Sequence, residues 1–295
     1  MSPFDAAGLT PLLERTKGRP EITVALIDGP VALDHPDLAG QRIHEITGGP
    51  PAMCTNRGSA ACAHGTFVAG MLAAKRASVA QGICPGCTFL LRPIFSETQP
   101  RHGDLPTATP EQLAAAIVDS VQAGARVLNL SVNLTGFSSR GETHLAEALS
   151  FAGSRGVIPV SAAANHGGIV GTTLTHHPWV LPVMAHDHSG RPLQSSSFSA
   201  MVGKRGVSAP GEDITSLGTN GKALTLSGTS AAAAFVTGAI ALLWSELPKA
   251  RAADMRFAVT NASPQRRVGL LPPMLNAWLT YQVLSGAAAR RGWAN

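Results

Sequence analysis

Charge is scarce in this sequence. Only 14% of the 295 residues are charged, and the 23 Lys and Arg are dispersed among 18 Asp and Glu. The densest basic spots are the pairs Arg266-Arg267 and Arg290-Arg291, so the net charge of +5 reads as solvated surface and no nucleic-acid partner is expected. Long apolar runs are also missing. The most apolar stretch, Ala231 to Trp244, falls short of the roughly 20 residues a membrane span needs and reads as a buried helix. The first twenty residues carry charges and prolines where an export signal has its apolar core, so a cytoplasmic location is expected. There is no internal repeat, low-complexity tract or linker. With 44% apolar residues the chain is expected to form one domain over 1–295, with its core at about 20–250. No acidic loop spells out calcium: Asp34, Asp37, Asp187 and Asp213 read as turn residues, and no cofactor is expected.

Cysteine is limited to two local pairs, Cys54/Cys62 and Cys84/Cys87. Local disulfides and plain reduced thiols are the leading readings. Cys84-Pro85-Gly86-Cys87 also fits a redox motif or half a zinc site, but Pro85-Gly86 reads as a turn where a redox motif expects a helix start. A four-Cys zinc site normally has two short Cys-x-x-Cys arms, and seven residues separate the first pair here.

What is present is an alternation of strand-like and helix-like segments. Strands are expected at 21–27, 125–131, 156–161 and 179–184, each a short apolar run of the kind that builds a parallel sheet covered on both faces. Thr109-Pro110-Glu111-Gln112 supplies an N-cap, a proline at the first helical position and a capping-box Gln, for a helix ending near Gly124. A second helix is expected over 143–153. The fold class is therefore α/β, in three layers, with a mostly parallel central sheet flanked by helices.

Three segments place a reactive side chain where a core element meets a loop. Asp28 ends the apolar strand Val24-Ala25-Leu26-Ile27, at the carboxyl edge where open α/β sheets build their sites; a helix-capping Asp is the bland alternative. His64 opens the apolar helix His64-Gly65-Thr66-Phe67-Val68-Ala69-Gly70, a position where a lone histidine is more often structural. Ser230 follows a Gly-Thr turn and opens another apolar helix, whose free N–H groups and partial positive charge favour developing negative charge. An N-cap serine is the ordinary reading there, with Ser227 and Thr229 competing for that role.

Together these segments resemble the subtilisin-type serine peptidases, whose triad runs Asp, His, Ser along the chain. The matching residues are Asp28 in its strand-end motif, His64 in His-Gly-Thr-x-Val-Ala-Gly, Ser230 in Gly-Thr-Ser and the turn Ala209-Pro210-Gly211. The resemblance implies a serine endopeptidase. Ser230 would be the nucleophile, His64 the general base and acid, and Asp28 the group that orients the imidazole. It also implies that Asn165, in Ser161-Ala162-Ala163-Ala164-Asn165, donates to the oxyanion, and that Ser131, Val132, Asn133 and Leu134 form the substrate-binding strand. Departures from the common pattern are Gly29-Pro30 after Asp28, Ala164 before Asn165, Ala234 and Phe235 after Ser230, and Asn133 where a glycine is usual. Asn133 is expected to bound the pocket for the residue before the scissile bond.

Asp28-Gly29-Pro30-Val31, Ile83–Cys87 and Pro93-Ile94-Phe95-Ser96 resemble the cyanobactin-type maturation peptidases, which cut leader or recognition sequences from modified precursors. A subtilisin-like protease of quinohemoprotein amine dehydrogenase maturation does a similar job. The expected partner is a peptide or protein substrate, with a modified precursor and its modifying enzyme as candidates. The short Asp28-to-His64 interval leaves little room for macrocyclising insertions, so hydrolysis is expected, and Asp28 lies near the chain start, which fits an enzyme active as made. The competing readings are a broad degradative subtilisin and an inactive peptide-binding relative. The intact Asp28, His64, Ser230 and Asn165 set argues against the latter.

Overall fold

The computed structural model describes residues 2–97, 107–136, 138–163, 173–193, 196, 200–263 and 269–291. Eleven strands are found among them: β1 (Thr23–Ile27), β2 (Arg42–Glu45), β3 (Thr88–Leu91), β4 (Thr107–Ala108), β5 (Val127–Leu130), β6 (Asn133–Leu134), β7 (Ile158–Ala162), β8 (Leu181–His186), β9 (Val207–Pro210), β10 (Ile214–Leu217) and β11 (Ala223–Leu226). The helices are α1 (Pro3–Ala6), α2 (Thr10–Arg15), α3 (Ala60–Ala73), α4 (Pro110–Gln122), α5 (Ser139–Ser154), α6 (Thr173–His176), α7 (Ala200–Arg205), α8 (Thr229–Glu246), α9 (Ala252–Asn261) and α10 (Ala277–Arg291).

Seven strands form one sheet in the order β2-β3-β1-β5-β7-β8-β9, and every neighbouring pair is parallel. The order reverses between β1 and β5: β3 and then β2 lie outward on one side, and β7, β8 and β9 on the other. Such a switch point leaves a crevice at the carboxyl ends of its two central strands. Asp28 directly follows β1 and Ser131 directly follows β5, so two of the expected site segments meet at this crevice.

The period-two alternation of a strand sorts β1 between two cores. Val24 and Leu26 face a core shared with α3 and α8, while Ala25 and Ile27 face one shared with α4 and α5. Helix α8 is buried over 89% of its length, because runs such as Ala231–Ala234 let it lie close to β5, β7, β8 and β9. It is apolar on all sides, as a helix enclosed by protein must be.

The expected strands at 21–27, 125–131, 156–161 and 179–184 appear as β1, β5, β7 and β8, trimmed or shifted by about two residues. Helix α4 carries the capping box read from Thr109 and Gln112, and Gly124 beyond its end has φ 89°. Helix α5 starts earlier than expected, at Ser139, because the Ser138 hydroxyl caps it by accepting the Gly141 N–H.

Candidate active site

Helix α3 is held against the end of β1 by a contact that only glycines allow. A Cβ on Gly29 would lie 2.1 Å from the Ala61 carbonyl oxygen, and one on Gly65 would lie 2.4 Å from the Gly29 carbonyl oxygen. Helix and strand end therefore touch backbone to backbone, which brings His64 over Asp28. The same contact explains Gly29 after Asp28: a larger side chain there would overlap the first turn of α3.

His64 does not open its helix, contrary to the sequence reading. Ser59 is the N-cap, accepting the Cys62 N–H, and α3 begins at Ala60, so His64 stands in the second turn. From there its Nδ1 lies 2.7 Å from Asp28 Oδ1. Asp28 is 2% exposed, and its Oδ1 also accepts the Gly29 N–H at 2.6 Å. With Nδ1–H donated to the carboxylate, Nε2 is left as the basic nitrogen. Burial opposes the imidazolium, but the Asp28 charge and hydrogen bond outweigh it and raise the His64 pKa above its ordinary 6.5. The second oxygen, Asp28 Oδ2, is buried and has no hydrogen-bond partner among the described residues.

Ser230 is the second residue of α8 and is partly exposed. Gly228 is the N-cap, at φ 150° and ψ 178°, a region reserved almost entirely for glycine. It caps without a side chain, so neither Ser227 nor Thr229 takes that role. Ser227 instead accepts the Asp213 N–H at 2.9 Å, pinning Asp213 at its positive φ of 49°. Ser230 is thus presented at a helix start whose amides face outward. Helices α3 and α8 pack side by side within one core, placing His64 and Ser230 on adjacent elements. No hydrogen bond joins those two side chains among the described residues; such bonds commonly tighten only around substrate.

Ser131 and Val132 are buried, while Asn133 and Leu134 are half-buried. Asn133 and Leu134 form β6, whose one edge pairs in parallel with β4 in the register Thr107↔Asn133 and Ala108↔Leu134. Asn165 lies outside the described residues, three positions beyond β7.

One buried side chain near this site was missed from sequence. Asn129, fully buried in β5, accepts the Thr237 hydroxyl of α8 at 2.9 Å and donates to Ser131 Oγ at 3.0 Å. It ties the helix bearing Ser230 to the start of the expected substrate strand. Its signal was present: an amide inside Val127-Leu128-Asn129-Leu130 must find partners when buried.

Cys54 and Cys62 are joined as a disulfide, while Cys84 and Cys87 are free and buried. The Cys84–Cys87 turn is closed by the Cys87 N–H donating to the Cys84 carbonyl, and burial pushes the Cys84 thiol well up. One group of potential metal donors lies together among the described residues, namely Cys54, Cys62 and Glu97, within 4.8 Å of one another. The bonded sulfurs are not thiolates, and Glu97 accepts the Thr55 and Asn56 N–H groups. Of the four acids read as turn residues, only Asp187 pairs locally, with Arg191; Asp34 reaches Arg57, Asp37 reaches Ser78 and Asp213 reaches Ser227, 23, 41 and 14 residues away.

With a buried acid on a histidine at a sheet switch point and Ser230 starting the helix packed on that of His64, the chain matches known proteins over most of its length. The sequence profile of the subtilase family fits residues 19–282. The chain belongs to the subtilase family. Fervidolysin from Fervidobacterium pennivorans is 31% identical over 292 residues, covering 88% of this chain and 40% of its own length. Among solved structures, the prenylagaramide maturation protease PagA is 28% identical with a TM-score of 0.82, covering 95% of this chain and 99% of its own. The patellamide maturation protease PatA is 30% identical with a TM-score of 0.75, covering 91% and 98%. The chain spans 40%, 54% and 57% of the length of three curated relatives it matches. The fold is subtilisin-like, as the motifs led one to expect.

Proposed function

We propose that this subtilase is a serine endopeptidase that removes a leader segment from a modified precursor peptide or small protein subunit. The observation that carries the reading is the 2.7 Å pair of His64 and buried Asp28 at the switch-point crevice, with Ser230 on the adjacent helix. In this reading Ser230 Oγ attacks the scissile carbonyl and His64 Nε2 takes its proton. Asp28 holds the tautomer and stabilises the imidazolium. The oxyanion would be bound by the Ser230 N–H and the Asn165 side-chain amide; losing such a side-chain donor costs roughly 10²–10³ in turnover, a figure that comes from subtilisin. His64 then returns the proton to the leaving amine, and water resolves the acyl-enzyme.

The narrower role is supported by the likeness to PagA and PatA, whose names describe maturation proteases. Ser131–Leu134 would hold the residues before the scissile bond as an added strand. The modifying enzyme that supplies the precursor is a candidate partner; the cytoplasm is the location expected from sequence, and the Cys54–Cys62 bridge stands against it. The test is a comparison of unfolded casein with a panel of modified precursor peptides carrying their leaders. The proposal expects single-site cleavage in the panel and slow, sparse cleavage of casein. Rapid digestion of casein at many sites would assign a degradative role instead.

A further inference from the structure

Helices α4 and α5 lie side by side with both N-termini at the β4–β6 pair, since Glu111 at the start of α4 accepts the hydroxyl of Ser138, the N-cap of α5, at 2.8 Å. Between them runs an open groove of ≈ 510 Å³. Its floor is apolar and low, made by Ala114, Ala115, Val118, Ala148 and Phe151. Along it stand Glu111, Asp119 and Glu147, with His144 near Glu111.

The charge here runs against the rest of the molecule. The two helices carry four carboxylates (Glu111, Asp119, Glu142, Glu147) and one arginine (Arg140) in a chain of net +5. Asp119 is held by Arg92 at 2.9 Å, and Arg155 stacks 5.2 Å from the Phe151 ring. Glu147 is exposed and Glu111 half-buried. Hydrogen bonds from its own backbone and from Ser138 lower the Glu111 pKa below its ordinary value, which favours the carboxylate. The eight helical steps from Glu111 to Asp119 rise about 12 Å, room for two helical turns of a docked segment.

The groove also lies where substrate would lead. A peptide added antiparallel to Ser131–Leu134 runs, toward its own N-terminus, in the direction of α5. On the other strand, Ala108 ends β4 two residues before α4 begins. We propose that the α4–α5 groove docks a basic, amphipathic segment of the substrate chain upstream of the cut bond, the small alanines admitting its apolar face and Glu111 and Glu147 its cations. The inference rests on the peptidase reading and adds to it a second recognition site remote from the scissile bond.

The test uses a short fluorogenic peptide selected from a library for cleavage, and two versions lengthened upstream by a twelve-residue amphipathic segment, one Lys-rich and one Glu-rich. The Lys-rich version should gain tenfold or more in kcat/KM through KM, and most of that gain should vanish between about 0.1 and 0.5 M salt. Glu147→Lys, and separately Ala115→Trp to fill the floor, should remove the gain and leave the short peptide unchanged. Equal rates for the Lys-rich and Glu-rich versions, or a gain that survives both variants, would overturn the groove while leaving the peptidase reading intact. Failure to find any cleaved peptide would sink the peptidase reading, and the groove with it.

Discussion

Asp28 has one carboxylate oxygen crowded with donors and the other with none. Oδ1 serves His64 Nδ1 and the Gly29 N–H, while Oδ2 has no hydrogen-bond partner among the described residues. Against the opposing effect of burial, the carboxylate charge and the Oδ1 hydrogen bond raise the His64 pKa. Activity needs neutral imidazole, so kcat/KM should fall as pH drops through a value above 6.5. Stability runs the other way: a raised folded pKa stabilises fully below the unfolded value of about 6.5 and is lost as pH rises through the folded one. Asp28→Asn should move the acid limb down and cut turnover by about 10⁴, the loss known for such a change in a serine protease triad. A pH–rate profile of both proteins checks this, and a flat wild-type profile from pH 5 to 8 would contradict it. Asp28, His64 and Ser230 were legible because each stands in a short motif at the end or start of an apolar element. For Asn129 the need for partners was legible but their identity was not, since Thr237 and Ser131 come from an element 108 residues away and from the next loop.

At the scale of elements, the contact of α3 with β1 decides whether acid and histidine meet. Gly65→Ala should stabilise an isolated helix by up to about 1 kcal/mol. Here the added methyl would lie 2.4 and 2.5 Å from the Gly29 and Pro30 carbonyl oxygens, so α3 must shift. We expect a net loss of about 1–3 kcal/mol by chemical denaturation, with a larger proportional loss of turnover than of substrate affinity. A neutral or stabilising result would show that α3 is not seated as described. The Cys54–Cys62 bridge closes a loop of sequence separation 8 onto the first turn of the same helix. Loop-closure entropy makes its removal worth roughly 2–3 kcal/mol, so the Cys54→Ser, Cys62→Ser double variant should melt several degrees lower. Four of the strands of continuous apolar residues could be read directly, but β3 (Thr88–Leu91), just as apolar, was missed beside the Cys84–Cys87 turn. β2 could not, being largely exposed, and β9 hid within the Ala-Pro-Gly motif, which reads as a turn until the neighbouring strand pairs with it.

For the whole molecule, the disulfide sets the expected compartment against the structure, because such bonds persist in oxidising surroundings. Thiol titration of the denatured, unreduced protein should count two thiols, Cys84 and Cys87, whereas four would mean the bridge does not form in the enzyme as made. The parallel sheet, its reversal between β1 and β5 and the two helical layers bring Asp28, His64 and the start of Ser131–Leu134 to one crevice, with Ser230 on a helix packed against that of His64. That the three short motifs form one site is the proposal this arrangement supports. The central claim is that Ser230 is a nucleophile activated by His64 and Asp28. A fluorophosphonate probe followed by peptide mass analysis tests it most directly. The account predicts one adduct, on Ser230, formed in the wild type. The adduct should be lost in Ser230→Ala, which should keep a wild-type melting curve and lose about 10⁶-fold in turnover, as triad removal does in subtilisin. No adduct on the folded wild type, an adduct elsewhere, or a Ser230→Ala rate above about a thousandth of wild type would contradict it.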